Sequence, residues 1–220
     1  MKPTPILRAA LLLGACLSGG AQAEGVLAQL YAPRPPAGSA FVRVLNPDAK
    51  PIKVQVADGS VQTLGPSKVA SSYAIVKGGE SFAISVNGQP IGQLSVVPDS
   101  FNTVLAQADK LVLIKEGASN EDALKAELRF YNLASGCALG QLKVAADGPV
   151  LFADVKPAST VARSINPVTA SLSAGCGTAQ AKAWPLPQLQ PGDHYVLFLT
   201  GSAAKPVLRG EMSRTDTYTQ

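Results

Sequence analysis

The residues of this chain that could do chemistry are few. A serine hydrolase needs a nucleophile beside a base, and the sole base of the usual kind is His194, with Asp193 as its neighbour in the chain. Adjacent residues on a strand point to opposite faces, so Asp193 could not orient His194, and Pro191-Gly192-Asp193 reads as the turn that opens a strand at Tyr195. Gly79-Glu80-Ser81 lies one acidic swap from the G-D-S block of acyl hydrolases, but Gly78-Gly79-Glu80-Ser81 reads more simply as a hairpin turn. Asp99, Asp109, Glu116, Glu121 and Asp122 are scattered, so they set no defined carboxylate separation. There is no G-x-S-x-G elbow, no G-x-G-x-x-G and no Walker loop. No catalytic residue, cofactor site or metal site is assigned. An acyl relay through a serine or threonine near His194, such as Thr200 or Ser202, is the rival reading.

The N-terminus explains the compartment. Lys2 and Arg8 precede an apolar run to Leu17, followed by Ala21-Gln22-Ala23, which is the pattern of a secretory signal peptide over residues 1–23. Leu13-Gly14-Ala15-Cys16 also resembles a lipoprotein box, which would leave an acylated Cys16 giving weak membrane association. Arg8 stands too close to that site for a full apolar segment, so cleavage before Glu24 is the stronger expectation. With Lys2 and Arg8 removed, the formal charge of +4 falls to +2, and no run of like charges is left to suggest nucleic acid. Cleavage also leaves two of the three cysteines, Cys137 and Cys176. In an oxidising compartment they predict an intradomain disulfide, since two cysteines and one histidine without C-x-x-C or H-x-x-x-H spacing cannot build a zinc site.

The elements that must position these residues are short strands, written twice. Phe41 to Asn46 alternates, and Ile52 to Ala57 follows and ends on Asp58-Gly59; these two read as a paired couple. The order returns as Leu128 to Asn132, then Leu142 to Ala146 ending on Asp147-Gly148, so that an R-x-x-N strand precedes an Ala-Asp-Gly turn in both copies. Pro66 and Pro157 then each introduce a similar segment, and both copies close with a Pro and Asp before apolar strands. The fold class predicted is therefore all-β: two tandem small antiparallel β-sandwich domains joined by a short linker. The divisions are an N-terminal segment 24–36, a first domain 37–115, a linker 116–124, a second domain 125–210 and a polar tail 211–220. The repeated Arg43 and Arg129 are expected to lie at an edge or on the surface, and Asn46 and Asn132 to organise turns. Cys137 lies in a loop longer in the second copy, which a bond to Cys176 would pin.

The segment Leu30-Tyr31-Ala32-Pro33, with Gly38-Ser39-Ala40-Phe41-Val42-Arg43, closely resembles the start of the AlgF family of periplasmic alginate O-acetylation proteins. Ser164-Ile165-Asn166-Pro167-Val168 and Leu197-Phe198-Leu199-Thr200-Gly201-Ser202 are similar to further segments of that family. The resemblance implies a periplasmic accessory protein of alginate O-acetylation, working beside a membrane O-acyltransferase and periplasmic acetyltransferases; the adaptor reading has it bind an alginate O-acetyltransferase and leaves open whether the alginate polymer is a second ligand. The cysteine pair departs from the pattern associated with the family. Exposed positions expected to contact a partner are Tyr31, Phe41, Arg43 and Arg129.

Overall fold

A computed structural model describes residues 34–107, 110–114, 116, 122, 124–145 and 147–218. The signal peptide, Cys16, Tyr31 and most of the linker lie outside the described residues.

Alternation builds the first half. In β1 (Ser39–Leu45), Ala40, Val42 and Val44 enter one core while Phe41, Arg43 and Leu45 take the opposite face. β2 (Ile52–Val56), β3 (Gln62–Leu64), β4 (Ala74–Lys77), β5 (Ser81–Val86), β6 (Gln89–Ser95), β7 (Phe101–Gln107) and β8 (Lys110–Ile114) complete it. They form two four-stranded sheets, β4-β1-β7-β8 and β3-β2-β5-β6, closed over Val54, Leu64, Ile84 and Val104. The two-residue turn between β5 and β6 needs positive φ at both positions, and Asn87 at 52° and Gly88 at 80° supply it.

The second half repeats the plan with β9 (Ala126–Asn132), β10 (Gly140–Val144), β11 (Val150–Val155), β12 (Ser159–Ile165), β13 (Ser171–Cys176), β14 (Ala179–Gln180), β15 (Trp184–Pro185), β16 (His194–Ser202) and β17 (Lys205–Met212). Its sheets are β12-β9-β16-β17 and β11-β10-β13-β14, with β15 added beside β13. Most pairs are antiparallel, but β1–β7 and β9–β16 run parallel at matching places in the two copies. The all-β, two-sandwich architecture is thus as the sequence predicts.

Two local expectations are corrected. The first two strands of each copy do not pair with each other: β1 and β2 lie in different sheets, as do β9 and β10. The connection after each R-x-x-N strand is a corner that carries the chain from one sheet to the other. Likewise Gly78-Gly79 joins β4 to β5 across the sandwich, so it is a crossing turn rather than a hairpin. A side chain on Gly78 would place its Cβ 2.4 Å from Pro98 Cα, which is why the corner is tight there.

Asn46 and Asn132 hold those corners. Asn46 Nδ2 donates to Lys50 O, and its Oδ1 accepts from Asp48 N. Asn132 Nδ2 donates to Cys137 O at 3.0 Å and Val155 O at 2.9 Å. Cys137 and Cys176 form a disulfide with Cα atoms 5.6 Å apart, tying the longer corner to the end of β13.

Residues Pro35–Thr217 form one compact unit. The outward faces of β1, β7, β9 and β16 pack together, and their seam is a third apolar cluster of Leu45, Val69, Ala70, Leu105, Ile114, Tyr131, Val196 and Phe198. Covered on both sides, β9 is buried at every position.

Candidate functional site

Beyond the apolar seam the two sheet faces part, and the chemistry-bearing residues converge in the gap. Arg43 on β1 is 2% exposed, against the expectation of a surface residue. The outward side of β1 faces the second sandwich instead of water, which is the physical reason for the difference. Its guanidinium lies 4.6 Å from the centre of the Tyr73 ring and 5.4 Å from that of Tyr131. Its Nη2 donates to Tyr131 Oη at 2.7 Å, its Nε to Thr103 Oγ1 at 2.9 Å and its Nη1 to Ser213 Oγ at 3.3 Å.

Glu116 closes the arrangement. Its side chain is 4% exposed, with Oε1 3.5 Å from Arg43 Nη2 and Oε2 3.7 Å from Arg129 Nη1. Tyr73, Tyr131 and Thr103 each donate a hydroxyl to it. One carboxylate at the foot of the linker thus receives groups from both sandwiches. Arg129 on β9, 6% exposed, is corrected in the same way as Arg43: its Nη2 and Nε turn to Glu127 Oε1 at 3.0 and 3.1 Å.

His194 begins β16, in parallel register with Glu127. Its Nδ1 lies 3.6 Å from Glu127 Oε1 while its side chain stays 53% exposed. The acid beside the histidine is therefore one supplied by the neighbouring strand, and Asp193 takes the turn role instead, accepting from Gln190 N at 2.7 Å. Thr200 and Ser202 are not near His194. They stand six and eight residues along the same strand, roughly 20 Å or more away at about 3.3 Å per residue, and hydrogen bond locally to Val207 and Lys205.

The electrostatics follow from burial and pairing. Burial opposes the charge on Arg43, but Tyr131, Tyr73 and Glu116 around it hold the guanidinium protonated above its ordinary range. Burial would raise the carboxyl of Glu116, yet Arg43 and Arg129 hold it below the usual value. Burial pushes the phenols of Tyr73 and Tyr131 up, so both stay neutral donors. The Glu127 carboxylate raises His194.

Arg43, Tyr73, Glu116, Glu127, Arg129 and His194 line a cleft of about 550 Å³, with Asp99 on the same wall. Its other lip is aromatic: Phe41 stacks on Phe101 with centroids 4.5 Å apart, and Tyr73 meets Phe101 edge-on at 5.1 Å. The tail crosses between the lips, with Ser213 N donating to His194 O, Tyr73 N to Arg214 O and Asp216 N to Tyr73 O, each at 2.8 Å. Of the hydroxyls on the wall, Ser213 faces a guanidinium, which cannot take its proton. The arrangement suits recognition. Among the described residues no group of His, Cys, Asp and Glu is placed to hold a metal ion.

Sequence reasoning brought Phe41, Arg43, Arg129 and His194 forward, and the fold gathers all of them here; Tyr31 lies outside the described residues. It missed Tyr73, Glu127 and Tyr131 and treated Glu116 as linker. A signal was present, since residues two apart share a strand face, so the outward side of β9 had to carry Glu127, Arg129 and Tyr131 together.

A family model described as "Alginate O-acetyl transferase AlgF" matches residues 10–190. The alginate biosynthesis protein AlgF of Pseudomonas aeruginosa is 29% identical over 199 residues, covering 90% of this chain and 88% of that protein. That of Pseudomonas putida is 28% identical over 203 residues, covering 90% of each. Among solved structures, the C-terminal domain of AlgF from P. aeruginosa is 32% identical and covers 40% of this chain and 98% of that domain, with a TM-score of 0.35.

Proposed function

From the premise that the chain belongs to the AlgF family of alginate biosynthesis proteins, we propose that it is a periplasmic accessory subunit of alginate O-acetylation. It binds an acetyltransferase and does no acyl chemistry itself. The observation that carries this reading is the bonding of Arg43, Glu116, Arg129, Tyr73 and Tyr131 to one another, which occupies the ionisable groups in joining two sandwiches. A unit held this way offers a partner a surface already in its bound form, so little association energy goes into ordering it.

Export by the signal over residues 1–23 would bring the protein to the compartment in which acetyl groups reach the polymer, where the disulfide also forms. The test is co-purification of the tagged mature chain, residues 24–220, with the acetyltransferases of its own gene cluster. Recovery of one of them in near-equal amount is the expected result. Retention of none, together with an acetyl group found on a serine or threonine of this chain by mass spectrometry, would replace the accessory role with an acyl relay.

A further inference from the structure

After β17 the chain leaves the second sandwich for the first. Ser213 still continues β17 beside β16, its N–H donating to His194 O at 2.8 Å, and the next three residues make the crossing. There Tyr73 N donates to Arg214 O and Asp216 N to Tyr73 O, each at 2.8 Å, which is a parallel bridge between Thr215 and Tyr73. Ser72 Oγ adds a bond to Asp216 Oδ1. The receiving edge exists because of a bulge. β1 pairs with β4 at Val42 opposite Ala74, and meets the same segment again at Leu45 opposite Ala70. Three steps along β1, 42 to 45, thus answer four along the other segment, 70 to 74, and the extra residue takes Ser72 and Tyr73 out of the ladder. The backbone N–H and C=O of Tyr73 are spent on the tail instead.

The tail has no apolar anchor of its own. From Ser213 to Thr217 every residue is polar or charged, and Arg214, Thr215 and Thr217 are exposed. A segment kept by a few solvent-facing hydrogen bonds, without buried apolar surface, opens at a free-energy cost well below that of unfolding. The sandwiches are joined by other means, the apolar seam and the carboxylate of Glu116, so they stay together when the tail leaves. What the tail does hold is Tyr73. That ring lies 4.6 Å from the Arg43 guanidinium, its hydroxyl donates to Glu116 at 3.2 Å, and Ser213 and Thr215 stand with it along the cleft wall.

We propose that residues 214–216 are a releasable strap, hinged at Ser213, that closes the cleft by pinning the Tyr73 bulge over Arg43. Paired, the strap keeps the aromatic cover on the guanidinium and completes the wall. Released, it frees the bulge and opens the Arg43–Glu116 floor to water while both sandwiches stay folded. This device is a property of the folded chain alone, and it stands whether or not an acetyltransferase binds.

Amide exchange of the mature chain, residues 24–220, followed by nuclear magnetic resonance, tests the strap in wild type, in Asp216→Pro, in a chain ending at Ser213 and in the control Thr217→Ala. Proline removes both the N–H that donates to Tyr73 O and the carboxylate that meets Ser72. Thr217 is exposed and lies beyond the bridge. In wild type the Tyr73 amide should be roughly a hundredfold or more less protected than that of Leu133, which is bonded to Leu199 O at 2.8 Å inside the second sandwich. Asp216→Pro and the shortened chain should lower Tyr73 protection by about a further tenfold or more and speed exchange of the Arg43 Nε proton, which Thr103 Oγ1 accepts. The Leu133 amide should stay the better protected in both, and Thr217→Ala should match wild type within about twofold. A Tyr73 amide as protected as that of Leu133 in wild type would mean that the tail leaves only when the protein unfolds. Tyr73 and Arg43 protons unmoved in both altered chains would mean that the tail pins neither. Either result overturns the strap, and the first needs no altered chain, so it decides even where a variant fails to fold.

Discussion

Arg43 carries a full charge at the floor of the cleft with only 2% of its surface exposed, and the cost of burying an ion, several kcal/mol, dictates what surrounds it. Glu116, two phenols and a threonine hydroxyl answer that requirement, and each would be left uncompensated by its loss. Arg43→Met is expected to destabilise the protein by about 3–5 kcal/mol in urea unfolding, with part recovered when Glu116→Gln is added. A loss below about 1 kcal/mol, as for an exposed pair, would show that the network holds nothing. Acid should act at the same point. The Glu116 carboxyl lies below its ordinary 4.5 in the folded state, so its contribution is complete above that value and is lost as pH falls through the folded one. Stability measured from pH 6 downward should therefore decline less steeply in Glu116→Gln than in wild type. His194 has the opposite sign. Raised above 6.5 by Glu127, it adds stability below 6.5 that is lost as pH rises through its folded value, and the effect is small because the ring is half exposed. With a single histidine in the chain, its imidazole proton resonances report the midpoint directly. Glu127→Gln should lower that midpoint to 6.5 or below, and an unmoved midpoint would assign the shift to another neighbour.

At the scale of elements, alternation in Phe41 to Asn46 told correctly that a strand runs there, and the repeat told that it occurs twice. It could not tell which strand lies beside it. Pairing is decided by the corner after Asn46 and after Asn132, and a side chain that bonds backbone oxygens across a corner reads in sequence the same as one in any hairpin turn. Facing was equally hidden. A strand covered on one side shows polar residues outward, but β9 is covered on both, so Glu127, Arg129 and Tyr131 mimic a solvent face while Tyr131 bonds Arg43 of the first sandwich and Arg129 reaches Glu116. Charge in a strand was read as exposure, and in this seam it means partnership. The cysteines were legible because their count constrains them strongly: removal of the predicted signal would leave only Cys137 and Cys176 to pair. Their disulfide spans a sequence separation of 39 residues, for which the loop-closure model gives about 4 kcal/mol. Replacing both by alanine should lower stability by roughly 2–4 kcal/mol without altering the fold by circular dichroism. A change below about 0.5 kcal/mol would mean that Asn132 and the packing around Gly140 already fix the corner.

For the molecule as a whole, the question is whether two sandwiches of similar plan behave as two bodies or one. Each has its own core, which favours independent melting. Against this stand the apolar seam around Leu45, Tyr131 and Phe198, the shared carboxylate of Glu116, and bonds that cross between the halves, among them Ala70 N to Glu211 Oε1 at 2.8 Å and Arg209 Nε to Pro66 O at 3.1 Å. Unfolding either half exposes the seam of the other and leaves a buried arginine without its partner, which couples the two by more than either interaction alone. Calorimetry of the intact chain should therefore show one transition whose van't Hoff and calorimetric enthalpies agree. Leu45→Glu, which puts a charge into the seam, should split it into two, whereas Val44→Ala, one residue away but facing the first core, should move a single transition to lower temperature. Two transitions in the unaltered protein would mean that the halves melt apart. The cleft between them would then be a hinge, and a partner would meet a surface it must first assemble.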